Sequence, residues 1–272
     1  MLVGGAVALA LALAAEIVPL GGRNLVIERP GGAPKGSILL IPGGTTRTAI
    51  DATGNTSSQN FVIRTRALYQ QAGYVTAFLD DPDDLRSSIA RLRALAPPVV
   101  VVATSRGTIL AAHSAVALGK GGPDLLVLTS PVTKASPRHP GSTADVNVAA
   151  IAQPTLVVTN ELDKCAVSPP DGAAALARAI PHAQLVTERS SAADSDPCEP
   201  LAPHGYFGIE SQTVGAILDW IAHRGQPLIA PHATTGDEVE DVLCTTTMLP
   251  TSCCSEMPSR VSCVVPLTAT SG

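Results

Sequence analysis

Val99-Val100-Val101-Val102-Ala103-Thr104-Ser105-Arg106-Gly107-Thr108-Ile109-Leu110-Ala111-Ala112 changes character at its midpoint. The β-branched first half has no polar interruption and reads as a strand buried on both faces. The second half, through about Leu118, is apolar nearly all round and reads as a buried helix. Ser105 therefore occupies a sharp strand-to-helix turn at the end of the sheet. Free backbone N–H groups and the positive end of the helix dipole lie beside its hydroxyl, where a developing oxyanion would be favoured.

Working outward from this unit, the flanking chain alternates strand and helix. Upstream, Asn24–Glu28 and Ser37–Ile41 read as strands, Gln59–Ala72 as a helix and Tyr74–Leu79 as a strand. Asp81 is expected to cap the next helix, with Pro82 in its first turn and Leu85, Ile89, Leu92 and Leu95 on its buried face. Pro97-Pro98 ends it. Downstream, Asp124–Thr129, Pro154–Thr159 and Gln184–Glu188 read as strands. Helices are expected to begin at Ser168-Pro169-Pro170-Asp171 and after His204-Gly205-Tyr206. Such alternation predicts an α/β protein with a mostly parallel sheet and helices on both faces.

The segment Ala103-Thr104-Ser105-Arg106-Gly107 resembles the nucleophile elbow of the α/β-hydrolase superfamily, G-x-S-x-G, with Ala in the first glycine position. The similarity is to exported bacterial serine esterases and lipases and covers roughly residues 24–224. It implies the α/β-hydrolase fold. Pro131–Ala149, where such proteins can insert a lid, is short, so a minimal cap is expected. The loop Pro42-Gly43-Gly44-Thr45 follows the strand that carries His-Gly-x in the family. Pro42 stands in the His position. The resemblance implies an oxyanion hole from the N–H groups of Arg106 and Gly44, with Thr45 as the alternative to Gly44.

A serine hydroxyl needs a base within hydrogen-bond reach, and the base needs an orienting carboxylate. The family supplies them in the order Ser, acid, His, and Ser105, Asp163 and His204 occur here in that order. Glu161 is a rival for the acid, with Asp194 and Asp196 behind it. His113, in the elbow helix, reads as a core histidine. Cys165 lies two residues after the candidate acid and Cys198 six before the candidate base, so a disulfide between them would tie the two loops together.

The 272 residues suffice for one large domain, and the net charge of −5 leaves no basic footprint for nucleic acid. Residues 1–15 are apolar, too short to span a bilayer, and end in Ala12-Leu13-Ala14 ahead of Ala15-Glu16, which resembles a signal-peptidase site. They read as a signal-peptide remnant lacking its basic end, which predicts a secreted or periplasmic protein without a stable membrane span. Residues 16–226 form the expected hydrolase domain. Residues 227–272 form an irregular Cys/Ser/Thr-rich tail whose Cys244, Cys253, Cys254 and Cys263 lack a zinc-type spacing. The expectation is a serine hydrolase acting on a small-molecule ester without metal or cofactor. A peptidase or amidase with the same triad, or a non-catalytic binding protein of this fold, are the alternatives. The sequence is silent on oligomeric state.

Overall fold

A computed structural model describes residues 15–82, 85–137 and 140–223. The expected signal remnant, apart from Ala15, and the cysteine-rich tail lie outside the described residues.

Eight strands form one sheet: β1 (Glu16–Leu20), β2 (Arg23–Glu28), β3 (Ser37–Ile41), β4 (Val75–Leu79), β5 (Val99–Thr104), β6 (Leu125–Thr129), β7 (Thr155–Asn160) and β8 (Ala183–Glu188). Their spatial order is β1-β2-β4-β3-β5-β6-β7-β8. Strands β3 to β8 are parallel, while β1 pairs antiparallel with β2 and β2 antiparallel with β4.

The period of two along each strand explains the layers. In β5, Val99, Val101 and Ala103 face a core shared with α3 (Arg86–Leu95), α4 (Gly107–Leu118) and α5 (Pro170–Ala179). Val100 and Val102 face the opposite core, built with α1 (Phe61–Arg64), α2 (Arg66–Gln71) and α6 (Glu210–Ala222). Both faces of the central strands are covered, which is why those strands read as unbroken apolar runs.

The chain passes from β3 to β4 on one side and returns to β5 on the other side of β3. The carboxyl ends of β3 and β5 therefore flank a topological switch point, where an open parallel sheet leaves a crevice between diverging loops. Ser105 leaves β5 there, and Gly43–Thr45 leave β3.

Three expectations are corrected. The helix expected over residues 59–72 is divided into α1 and α2 at Thr65. The Thr65 hydroxyl donates to the Phe61 carbonyl (2.7 Å) and the Arg66 guanidinium to the Ile63 carbonyl (2.9 Å), so side chains compete for the helix's own acceptors. Helix α3 begins at Arg86, not at Asp81-Pro82: the Asp81 carboxylate is turned to Arg47 (3.0 Å), and the helix starts only after Leu85 has entered the core. His113 is exposed on α4 rather than buried.

Strand β1 was not anticipated. Its signal is Gly21-Gly22 between two apolar runs; both glycines have positive φ (61° and 84°), the backbone a tight hairpin turn requires. Pro19 is tolerated because β1 is an edge strand.

Candidate active site

Ser105 sits between the last residue of β5 and the first of α4 with φ +51°, a left-handed conformation that projects its side chain from the turn. Its N–H donates to the Thr129 carbonyl (3.0 Å), and its own carbonyl accepts from the Thr108 hydroxyl (2.6 Å). Gly107 admits no side chain, because a Cβ there would lie 2.5 Å from the Pro42 carbonyl oxygen and 2.6 Å from that of Ile41. Gly43 is equally constrained: a Cβ would lie 2.6 Å from the Ser105 Cβ. Ala103, in contrast, keeps a strand conformation with its methyl in the core, so the first small position of the elbow needs no glycine.

The loop after β8 brings His204 to this serine. His204 lies in a 3-10 turn, Pro203–Gly205, ahead of α6. Its Nε2 is 2.9 Å from Ser105 Oγ, and its Nδ1 is 2.8 Å from Asp163 Oδ2. A carboxylate only accepts, so Nδ1 carries the ring proton and the Nε2 lone pair faces the serine hydroxyl. The second oxygen of Asp163, Oδ1, accepts from the Cys165 N–H (2.8 Å), and the Asp163 N–H donates to the Asn160 carbonyl (2.9 Å). Asp163 and His204 are buried, while Ser105 is partly accessible. Of the rival acids, Glu161 pairs with Arg189, and Asp194 and Asp196 are exposed.

Cys165 and Cys198 form a disulfide with Cα atoms 4.6 Å apart, joining the acid loop to the chain that leads to His204. Both cysteines line a cavity of about 670 Å³ that opens over Ser105 and His204. Gly43, Gly44, Thr45 and Arg106 line it from the serine side. Arg106 stands at the N-terminus of α4. Gly44 has φ +65° in a turn closed by the Thr46 N–H on the Gly43 carbonyl (3.0 Å). Among the described residues, no backbone carbonyl accepts from the N–H of Gly44 or Thr45.

No family model matches the chain. No curated protein matches it either. Solved structures do match. Est1E from Butyrivibrio proteoclasticus superposes with a TM-score of 0.55 at 12% identity, over 78% of this chain and 99% of that one. The esterase EaEST from Exiguobacterium antarcticum gives 0.52 at 12% identity, over 79% and 100%. A highly thermostable carboxyl esterase from Bacillus coagulans gives 0.52 at 11% identity, over 79% and 100%. The chain has the α/β-hydrolase fold.

In this α/β-hydrolase fold the cap is minimal. The connection from β6 to β7 holds only two 3-10 turns, Thr143–Asp145 and Val148–Ala150, among its described residues. Among the described residues, too, no helix is long and apolar enough to cross a membrane.

The structure brings together all the site residues expected from the sequence. It adds others that sequence reasoning passed over. The tertiary contact with Ser105 makes glycine obligatory at position 43. Gly205 has a similar reason, since a Cβ there would lie 1.9 Å from the Pro200 carbonyl oxygen. Tyr206, with φ +58°, is fully buried beside the histidine, and burial pushes its hydroxyl pKa far above the ordinary value. Glu188, at the end of β8, is also buried; desolvation raises its carboxyl pKa, partly offset by the hydrogen bond from Gln212.

Proposed function

We propose that this protein is an exported serine hydrolase that cleaves carboxylic esters through an acyl-enzyme, with Ser105, His204 and Asp163 as its catalytic triad. The observation that carries the reading is the continuous chain Ser105 Oγ–His204 Nε2 and His204 Nδ1–Asp163 Oδ2, at 2.9 and 2.8 Å, at the mouth of the cavity. Three groups in reach with complementary donor and acceptor roles are what an activated serine requires.

In this mechanism Ser105 Oγ attacks the ester carbonyl carbon as His204 Nε2 takes the hydroxyl proton. Asp163 holds the ring orientation and stabilises the imidazolium. The oxyanion is received by the N–H of Arg106 and that of Gly44 or Thr45. His204 then gives its proton to the departing alcohol. Water attacks the acyl-enzyme with His204 again as base, and Ser105 is restored. The chemistry needs no metal or cofactor. The cavity's size suits a small-molecule ester, and the esterase identity of its structural neighbours is consistent with this class. Export is supported by the disulfide, which persists in oxidising compartments.

The test is labelling with a fluorophosphonate alongside a panel of p-nitrophenyl esters of increasing acyl length, with Ser105→Ala as control. Labelling and turnover that the substitution abolishes are expected. A folded, oxidised protein that neither labels nor turns over any ester overturns the proposal.

A further inference from the structure

The turn that carries His204 is short, and every one of its carbonyls is spoken for. The Pro203 carbonyl accepts from Asn160 Nδ2 (3.1 Å). The His204 carbonyl accepts from Ser130 Oγ (2.7 Å). The Gly205 carbonyl accepts from Arg64 Nη2 (2.6 Å). The three donors come from the end of β7, the residue after β6, and α1. We propose that Asn160, Ser130 and Arg64 are positioning residues that fix the His204 imidazole by each holding one of three consecutive backbone carbonyls. This rests on the hydrolase reading of the site.

Each donor is itself held. The Asn160 side chain is fully buried with all its hydrogen-bonding capacity used. Nδ2 donates to the Ser190 carbonyl (3.0 Å) as well as to Pro203, and Oδ1 accepts from the N–H groups of Leu162 (3.1 Å) and Ser190 (3.2 Å). One side chain thus joins the loop leading to Asp163 with the turn bearing His204. Ser130 is buried with φ +42°. Its N–H meets the Tyr206 hydroxyl (3.0 Å), which donates to the Val158 carbonyl (2.9 Å). The protonated phenol, kept so by burial, braces the serine that holds the histidine. Arg64 is ion-paired with Glu210 (2.9 Å) and lies over the Phe61 ring (5.7 Å to its centroid).

Two non-glycine residues in left-handed backbone, Ser130 and Tyr206, lie within this one network. Such conformations persist where surrounding contacts over-determine them, and they cluster at functional sites. The network contains no group that touches the cavity's reacting centre. Its effect is transmitted through the turn and, at Asn160, also through the loop leading to Asp163, and the imidazole must lie between a serine and a carboxylate with little tolerance.

The experiment compares Ser130→Ala, Asn160→Asp and Arg64→Met with the parent in three readouts. These are kcat and KM per fluorophosphonate-titrated site, thermal stability, and the far-downfield Nδ1–H proton resonance of His204, assigned by its loss in His204→Gln. Asn160→Asp turns two donors into acceptors facing carbonyls; if it fails to fold, the other two variants carry the test. The expected result is a fall in kcat of about 10- to 100-fold with KM unchanged, accompanied by a shifted or broadened resonance. Arg64→Lys, which keeps a cationic donor, should recover part of the rate. Variants that lose thermal stability but keep the parent's kcat per site and an unchanged resonance overturn the proposal. If the parent itself neither labels nor turns over ester, the hydrolase reading fails. The resonance then still decides whether these side chains position the ring.

Discussion

The turn at Ser105 is held largely by main chain. The Thr129 carbonyl takes its N–H (3.0 Å), and Gly107 and Gly43 pack directly against the carbonyls and Cβ around it. Across the cavity, the turn at His204 is held by side chains from far along the sequence. Ser130 lies 74 residues away from its acceptor, Asn160 43 and Arg64 141, and a disulfide ties the preceding chain to Cys165. Ser105 is thus fixed by sterics that tolerate no added atom. His204 is fixed by bonds that can be removed one at a time. Damage to the first should be abrupt, and damage to the second graded.

The contrast between the two turns should be sharpest at the serine itself. In the proposed mechanism Ser105→Ala removes the attacking atom, and the expected loss in ester turnover is on the order of 10⁴-fold or more with the melting temperature little changed. Steady-state kinetics and calorimetry on the same sample check both halves. Survival of most of the turnover would remove Ser105 from the mechanism.

Next in size is Cys198→Ser. Opening a loop of 33 residues between bridge positions is expected to cost about 3–4 kcal/mol of stability by the chain-entropy estimate. Because the loss falls on the histidine side, fluorophosphonate labelling should slow even at temperatures where the variant is folded. Denaturant melts and labelling kinetics measure the two effects. An unchanged labelling rate would mean that the bridge stabilises the fold without helping to align the triad.

Gly107→Ala should be smaller in stability, about 1–3 kcal/mol as an overpacking change, but should act on catalysis in a single step. The new methyl must displace the carbonyls of Ile41 and Pro42, which lie at the base of the loop leading to Gly44. A variant with wild-type kcat would show that the elbow can relax and that the contrast between the two turns is overdrawn.

The smallest effect is expected at Glu188. Burial raises its carboxyl pKa in the folded protein, so the native state binds the proton more tightly than the unfolded chain does. Its contribution is therefore most favourable below the unfolded value of 4.5 and declines as the pH rises through the raised folded value. Glu188→Gln should gain a little stability relative to the parent at neutral pH and none below about pH 4. Urea melts at the two pH values read the difference, and a larger gain at the acidic end would mean that the carboxyl pKa is lowered, not raised, on folding.

Much of the architecture can be read along the chain because it depends on neighbours. The apolar runs at Val99–Ala103 and Leu125–Thr129 announce strands buried on both faces, and the small residues after Ser105 announce a tight turn into a helix. Failures occur where a side chain adopts an arrangement that its neighbours in sequence do not announce. Asp81 has the residue type of a cap but is drawn to Arg47. The side chains of Thr65 and Arg66 bond carbonyls of the preceding turn, where the helix is divided. The apolar sequence around His113 does not reveal that its own side chain faces solvent.

By itself, the sequence determined the alternation of strand and helix, the serine at the sharp turn, and the order serine, acid, histidine. The first two follow from periodicity and backbone sterics acting over a few consecutive residues, and the third is what the resemblance to the α/β-hydrolase family implies. Only the tertiary structure decided that Asp163 rather than Glu161 meets the imidazole, that Gly43 must be glycine, and that Asn160, Ser130 and Arg64 converge on one turn. These depend on which strand ends the sheet sets side by side. Hydrogen bonds between residues tens of positions apart leave no local pattern to read.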